Sequence, residues 1–340
     1  MKLIRILLFP VAMLYGLITS IRNILFNVRI FKSHPTQVSS IGVGNLSSGG
    51  TGKSIVVDYL ISEYHTSYSI AVLSRGYGRK STGFKIANSF SSAIEIGDEP
   101  YQFFNKYSKI KVAVGENRVK AVSKIIKHDP KTNLIILDDI MQHRWINPSH
   151  LILTTTYSNP FFNDFILPIG NLREHSLGKK RAQTIIFTKC PSDLSEQNRL
   201  DFKKRSDFLS SQDVFFTKIN YSEKIVNNHE KLDFEIFKNI KILLVTGIAD
   251  SMPLVNFLNL KKISFSHLKY RDHFNYDRAA IKKIKKQAGN SYILTTEKDY
   301  GRLSPLVESK KLFYIPINLT FFSDNEEYEF NKKIKSLIKS

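Results

Sequence analysis

Lys53 and Ser54 follow a loop holding Gly44, Gly49, Gly50 and Gly52, and they stand between a β-branched run, Val38 to Val43, and an apolar stretch opening Ile55-Val56-Val57. Strand, glycine loop, Lys-Ser and helix in that order form a phosphate-binding loop. The glycines let backbone N–H groups turn around phosphate oxygens, the helix N-terminus adds its positive dipole end, Lys53 brings a mobile charge, and the Ser54 hydroxyl can ligate a divalent cation. The strict pattern wants glycine at position 47, where this chain has Ser47. A plain flexible loop would explain the glycines but not the Lys-Ser pair at a helix start. Such a loop needs a carboxylate at a nearby strand tip, and Leu134-Ile135-Ile136-Leu137 ends in Asp138-Asp139. A buried strand holding a carboxylate at its tip can position hydrated Mg²⁺.

Other strand ends carry further chemistry. Ser74-Arg75-Gly76-Tyr77-Gly78-Arg79 places two guanidiniums on a glycine loop, a geometry suited to anions. Asp98 and Glu99 of Gly97-Asp98-Glu99-Pro100 can cap a helix, or serve beside a phosphate loop as general base and metal ligand. Gln142 and His143 follow the paired aspartates after Ile140 and Met141, and Pro168 to Glu174 forms a loop with the Arg173-Glu174 pair. Far along the chain Asp272-His273 offers an imidazole beside a carboxylate, a pairing that tunes a base in some sites and is merely structural in many.

The elements that must position these residues alternate. Apolar runs at Val38 to Val43, Ile70 to Ser74, Val112 to Val114, Leu134 to Leu137, Leu151 to Thr154 and Ile185 to Thr188 are separated mostly by amphipathic segments. That alternation predicts an α/β fold in which a parallel sheet is covered by helices, with ligands gathered at the carboxyl ends of its strands. The polar stretch from Ser192 to Glu235, interrupted by the strand-like run Val214 to Ile219, predicts a boundary near Tyr221 to Asp233. A second, smaller α/β unit then opens with Ile242 to Val245. The expected organisation is an N-terminal segment (1–33), a phosphate-loop core (34–225) and a smaller α/β domain (226–340).

With 340 residues and 42% hydrophobic content the chain can bury a real core. A net charge of +20 points to an anionic partner: nucleic acid, an anionic membrane face or a phosphorylated substrate. Nucleic acid is disfavoured because no recognisable binding module or interleaved basic and aromatic motif is present. Cys190 is the one cysteine, so no internal disulfide forms. Residues 1–32 carry Lys2, Arg5, Arg22, Arg29 and Lys32, no acidic residue, and an uncharged run from Ile6 to Ile21. The run is short for a membrane span and lacks a cleavage site, so the expectation is an uncleaved membrane-associating helix with basic residues facing anionic headgroups.

Taken together these stretches resemble one family, the tetraacyldisaccharide 4'-kinases, the lipid A 4'-kinases of Gram-negative bacteria. The matches run in order along nearly the whole chain: Pro10-x3-Leu14-Tyr15, VGNLSSGGTGKS, LSRGYGR, GDEP, VGENR, LDDIMQHR, LPIGNLRE, TGIA, RDHF and ILTTEKD. The family's loop itself carries Ser or Thr at position 47. The resemblance implies ATP-dependent phosphoryl transfer to the 4'-hydroxyl of a tetraacyldisaccharide 1-phosphate, by an inner-membrane enzyme acting on the cytoplasmic side. It assigns Gly49, Gly50, Thr51, Gly52, Lys53 and Ser54 to the triphosphate. Asp138 and Asp139 take the Mg²⁺ region together with Ser54, Glu99, Gln142 and His143. Asp98 is the general base and His273, from the second domain, the partner that tunes it, so domain closure becomes part of catalysis. Arg173 or Arg75 is expected to stabilise the moving phosphoryl or to hold the substrate's own phosphate, with Asn45 also on the substrate side. The protein is expected to work as a monomer.

Two departures from the family stand out. Its usual Asp-Asp-Gly-Phe-Gln-His reads Asp138-Asp139-Ile140-Met141-Gln142-His143 here, and Ile169 occupies a position where a small residue is more usual. Ile140 would be strained if that position required a positive φ. A nucleotide-dependent switch or membrane-recruited ATPase shares such a loop, but it has no reason to carry the GDEP and Asp-His pieces together.

Overall fold

The computed structural model describes residues 8–307 and 310–338. Among the described residues the largest sheet has nine strands, in the spatial order Ile317–Phe321, Asp213–Tyr221, Thr184–Thr188, His150–Thr156, Ser39–Gly44, Leu134–Asp138, Ile70–Ser74, Lys111–Val114 and Lys85–Ile86. All neighbours are parallel except the two outermost, which pair antiparallel. The phosphate-loop strand and the Asp138 strand are adjacent, in register from Ser39 opposite Leu134 to Val43 opposite Asp138. Every residue of Ser39–Gly44, Ile70–Ser74 and Leu134–Asp138 is buried, as expected for strands covered on both faces. One covering layer packs Val57, Leu60 and Tyr64 of the helix Lys53–Tyr64 on Ile41, Val72 and Ile136; the other packs Ala121 and Ile125 of Arg118–His128 on Leu73, Ile135 and Leu137.

The second sheet has six strands, Lys231–Asp233, Lys224–Val226, Leu312–Ile315, Ile293–Thr296, Lys241–Thr246 and Ser264–Lys269, the last four mutually parallel. Here the structure corrects the expected boundary. After Ile315 the chain returns to the first sheet: Ile317–Phe321 pairs with Asp213–Tyr221, and the helix Asp324–Leu337 buries Phe330 and Ile334 against Tyr59 and Tyr64. The second unit therefore spans about 222–316 rather than 226–340. Pro316, between two strands, accounts for the switch, because a residue with fixed φ and no N–H ends one ladder where the next begins. Ser222 N–H donates to the Pro316 carbonyl at 2.9 Å, so the two crossings lie side by side.

Residues 1–7, with Lys2 and Arg5, lie outside the described residues. A 19-residue helix then runs Phe9–Asn27, long and apolar enough to cross a membrane by length and composition. Pro10 sits in its first turn, where a missing N–H costs nothing. Ala12, Gly16, Thr19 and Phe26 form its buried stripe, whereas Phe9, Met13, Leu17, Ile21 and Ile24 are exposed. The docked face reaches the Arg173 loop. Tyr15 donates to the Arg173 carbonyl at 2.9 Å, and Asn23 to Glu174 Oε2 at 2.7 Å.

Candidate active site

The phosphate loop ends at Gly52, whose φ of +80° is a left-handed backbone that an L side chain resists. A Cβ there would also lie 2.7 Å from Thr188 Oγ1. The helix beginning at Lys53 has no side-chain cap, so its first N–H groups are left for an anion. Lys189, one residue past a central strand and itself at positive φ, donates to the Gly50 carbonyl at 2.7 Å. Thr188 Oγ1 donates to the Thr51 carbonyl at 2.9 Å. Sequence reasoning passed over both residues; their signal was their place at the end of a strand that the alternation had already marked.

Asp138 and Asp139 diverge. The Asp138 carboxylate is buried, accepts from Ser74 Oγ at 3.1 Å through Oδ2, and has no partner on Oδ1. Burial, with Glu99 and Asp139 nearby, pushes it up to about 7. Asp139 faces the other way in charge. Arg173 grips it bidentately, at 3.1 and 2.9 Å, and Lys53 lies 3.5 Å away. Burial opposes ionisation, but the Arg173 hydrogen bonds and the Lys53 charge overcome it and hold Asp139 down to about 2. It is Asp139 that carries the positive φ, 49°, whereas Ile140 does not. Ile140 and Met141 are buried and fill the space over Gly42 and Gly44, whose added Cβ atoms would strike them at 2.7 and 2.6 Å. The Gly-to-Ile departure therefore carries no backbone strain.

Asp98 opens the helix Asp98–Lys106 after Gly97, at φ +97°. The GDEP and SRGYG loops pack glycine on glycine, a Cβ on Gly97 falling 3.1 Å from Gly76 Cα, and this close approach sets where Asp98 stands. Its neighbour Glu99 accepts from Ser54 Oγ at 3.0 Å, joining this helix to the phosphate loop. Across the cleft the second domain supplies three groups. His273 Nδ1 lies 2.9 Å from Asp98 Oδ2, Arg302 Nε 3.7 Å from the same oxygen, and Lys298 Nζ 4.0 Å from Glu99. Burial would raise Asp98, yet the His273 hydrogen bond and the Arg302 charge lead the effects that outweigh it and hold the carboxyl below its usual range.

The expected residues do not all converge. Asn45 is wholly buried, its amide donating to Ser47 O and Thr51 Oγ1, both at 2.7 Å, and its side-chain oxygen accepting from Arg173. That geometry makes it a brace of the loop rather than a substrate contact, because no polar atom is left over. Gln142 donates to the Asn45 carbonyl at 2.9 Å and to Glu174 at 3.0 Å, linking the loop to the N-terminal helix. His143 lines a cavity of about 480 Å³ with His34, Glu116 and Trp145. Burial and the Arg118 and Arg75 guanidiniums depress its pKa, an environment unfavourable to a cation. Arg75 is exposed beside the buried Arg118. Lys298 and Arg302 were not picked out from sequence, although they lie in and one turn beyond the ILTTEKD motif.

Comparison with known proteins gives a consistent result. A family model described as tetraacyldisaccharide-1-P 4'-kinase matches residues 4–339. The tetraacyldisaccharide 4'-kinase of Flavobacterium psychrophilum is 45% identical over 342 residues, covering 100% of this chain and 98% of the relative. That of Flavobacterium johnsoniae is 41% identical, with 100% and 98% covered, and that of Bacteroides thetaiotaomicron 36%, with 96% and 91%. The crystal structure of LpxK from Aquifex aeolicus in complex with ATP superposes with a TM-score of 0.79 at 26% identity, over 99% of this chain and 100% of that one.

Proposed function

The chain belongs to the tetraacyldisaccharide-1-P 4'-kinase family, and we propose on that premise that Asp98, tuned by His273, is the general base of an ATP-dependent phosphoryl transfer to the 4'-hydroxyl of a tetraacyldisaccharide 1-phosphate. The observation that carries this reading is the 2.9 Å contact between Asp98 and His273, made across the cleft beside a helix that touches the phosphate loop through Ser54 and Glu99. ATP seats its phosphates on the open N-terminus at Lys53, with the Lys53 ammonium beside them. Asp98 accepts the proton of the attacking hydroxyl. Its lowered pKa keeps it ionised at neutral pH, so it is ready to accept without first losing a proton. Arg173, anchored on Asp139, is in place to turn toward negative charge on the moving phosphoryl group.

The unpartnered Oδ1 of buried Asp138 and the carboxylate of Glu99 beside Ser54 form a donor set that fits Mg²⁺, a hard cation that takes one or two carboxylates and completes its shell with phosphates and water. When bound there it neutralises charge on the β- and γ-phosphates. Asp139, tied to Arg173 and Lys53, and His143, among guanidiniums, are left out of this set. The exposed apolar face of Phe9–Asn27 is the surface that meets the inner membrane on its cytoplasmic side, from which an acylated sugar phosphate must be drawn. The test is incubation of the protein in detergent micelles with γ-labelled ATP and Mg²⁺, with and without tetraacyldisaccharide 1-phosphate. Label entering lipid, lost in Lys53→Ala and strongly reduced in Asp98→Asn, is the expected result. Free phosphate released regardless of lipid would indicate a switch ATPase instead, and near wild-type turnover in Asp98→Asn would sink the base assignment.

A further inference from the structure

Lys298 Nζ lies 3.0 Å from His273 Nε2, on the side of the ring opposite Asp98. An ammonium has donors and no acceptor, so the ring nitrogen facing it must present a lone pair. The ring proton then sits on Nδ1 and is donated to Asp98 Oδ2. The two contacts agree on one tautomer. A second proton on Nε2 would point at the ammonium; around the pair, Arg302 Nε lies 3.7 Å from Asp98 Oδ2, Asp272 accepts from the His273 backbone N–H at 3.0 Å, and the Tyr77 ring centroid is 6.0 Å from that of the imidazole.

Both partners are built to hold this geometry. His273 is at φ +54°, with its N–H on the Gly247 carbonyl at 3.1 Å. Gly247 N–H in turn donates at 2.8 Å to Asp299, the residue after Lys298. Asp299 is fully buried and also accepts from Tyr276 and Thr296. One turn thus registers the imidazole and the ammonium together.

We propose that Lys298 is a positioning residue of the transfer reaction, the third member of a Lys298–His273–Asp98 chain that keeps His273 a neutral hydrogen-bond donor to the base. A doubly protonated ring would hold the Asp98 carboxylate in an ion pair in place of the single oriented hydrogen bond from a neutral imidazole. The inference rests on the reading of Asp98 as base, and its test has one arm independent of that reading. In protein labelled with ¹⁵N-histidine, with His273 assigned by comparison with His273→Ala, NMR at neutral pH is expected to show a protonated Nδ1 and a bare Nε2, and Lys298→Met to shift the ring toward the doubly protonated form. An imidazolium in the unsubstituted protein, or an unchanged ring in Lys298→Met, overturns the proposal. In kinetics Lys298→Met should lower kcat about tenfold, a modest share of what a base contributes, with the KM for ATP nearly constant. Lys298→Arg, also a pure donor, should recover most of the loss, and adding Lys298→Met to His273→Ala should cost nothing more. Independent losses in the double variant would mean that Lys298 acts elsewhere. An active Asp98→Asn enzyme would remove the base reading while leaving the spectroscopic result standing.

Discussion

Replacing Glu297 by Gln should make the protein more stable in alkali than in mild acid, relative to the unsubstituted chain. Glu297 opens the helix Glu297–Val307 and is buried at the domain interface, 3.5 Å from Lys106 Nζ, which is itself bound to Asp58 at 2.7 Å. Burial pushes the Glu297 carboxyl up to about 7 from an ordinary 4.5; Lys106 opposes the rise and Asp58 adds to it. The folded state therefore holds this proton more tightly than the unfolded chain does. Its contribution is fully present below pH 4.5, is lost as pH rises to about 7, and stays lost above that. A displacement of that size corresponds to a ceiling of roughly 3 kcal/mol. Glutamine keeps the shape, cannot ionise and removes the slope, while Lys106 retains Asp58. Urea unfolding of both proteins at pH 5 and pH 8 measures the difference. The gap between Glu297→Gln and the parent should move in the variant's favour by about 2–3 kcal/mol. A gap that stays constant with pH would show that Glu297 is ionised throughout in the folded protein and that the burial argument is wrong.

Three further outcomes follow from the site. Gly52→Ala should abolish ATP binding in calorimetry while leaving the far-UV spectrum intact, since the added methyl meets Thr188 at a backbone angle of +80°; retained affinity would refute the required left-handed turn. Ile140→Gly should lower stability by about 3 kcal/mol or more in thermal unfolding, because the side chain fills the space above Gly42 and relieves no strain; a stabilised variant would mean that this position does want positive φ. Glu174→Gln should cost about 3 kcal/mol in denaturant unfolding, as it strands the Arg181 guanidinium now held bidentately at 2.8 Å and weakens the Asn23 bond to the N-terminal helix; a change under 1 kcal/mol would show that Arg181 finds another partner.

The phosphate loop and the Asp138 strand were legible because their chemistry is local: glycines, a Lys-Ser pair and an apolar run with acidic ends lie within short windows, and buried parallel strands read as continuous apolar runs. The return of Ile317–Phe321 to the first sheet was not, since Pro316 in a continuous apolar stretch reads as an interruption and periodicity says nothing about which sheet a strand joins. Asn45 misled for a related reason. An amide in a ligand-binding motif looks like a ligand group, yet its side-chain hydrogen bonds go to the protein itself, to Ser47 and Thr51 in the loop and from Arg173. Asp98 and His273 were paired only through the family resemblance, for nothing in either local sequence announces the other.

The residues missed altogether share one property: each acts on a partner from another part of the chain. Lys298, Arg302 and Glu297 project from one helix of the second domain onto Glu99, Asp98 and Lys106 of one helix in the first. The first-domain helix is bound in turn to the phosphate-loop helix by Ser54–Glu99 and Asp58–Lys106. Three helices are thus pinned in two rungs, one at the reacting end and one behind it. The two chain crossings at Ser222 and Pro316 are hydrogen-bonded to each other, so the second domain is joined to the first through one narrow neck. A movement about that neck changes both rungs together. It would part His273 from Asp98 in the same motion that separates Glu297 from Lys106, which is why a residue outside the reacting end should report on whether the base is assembled.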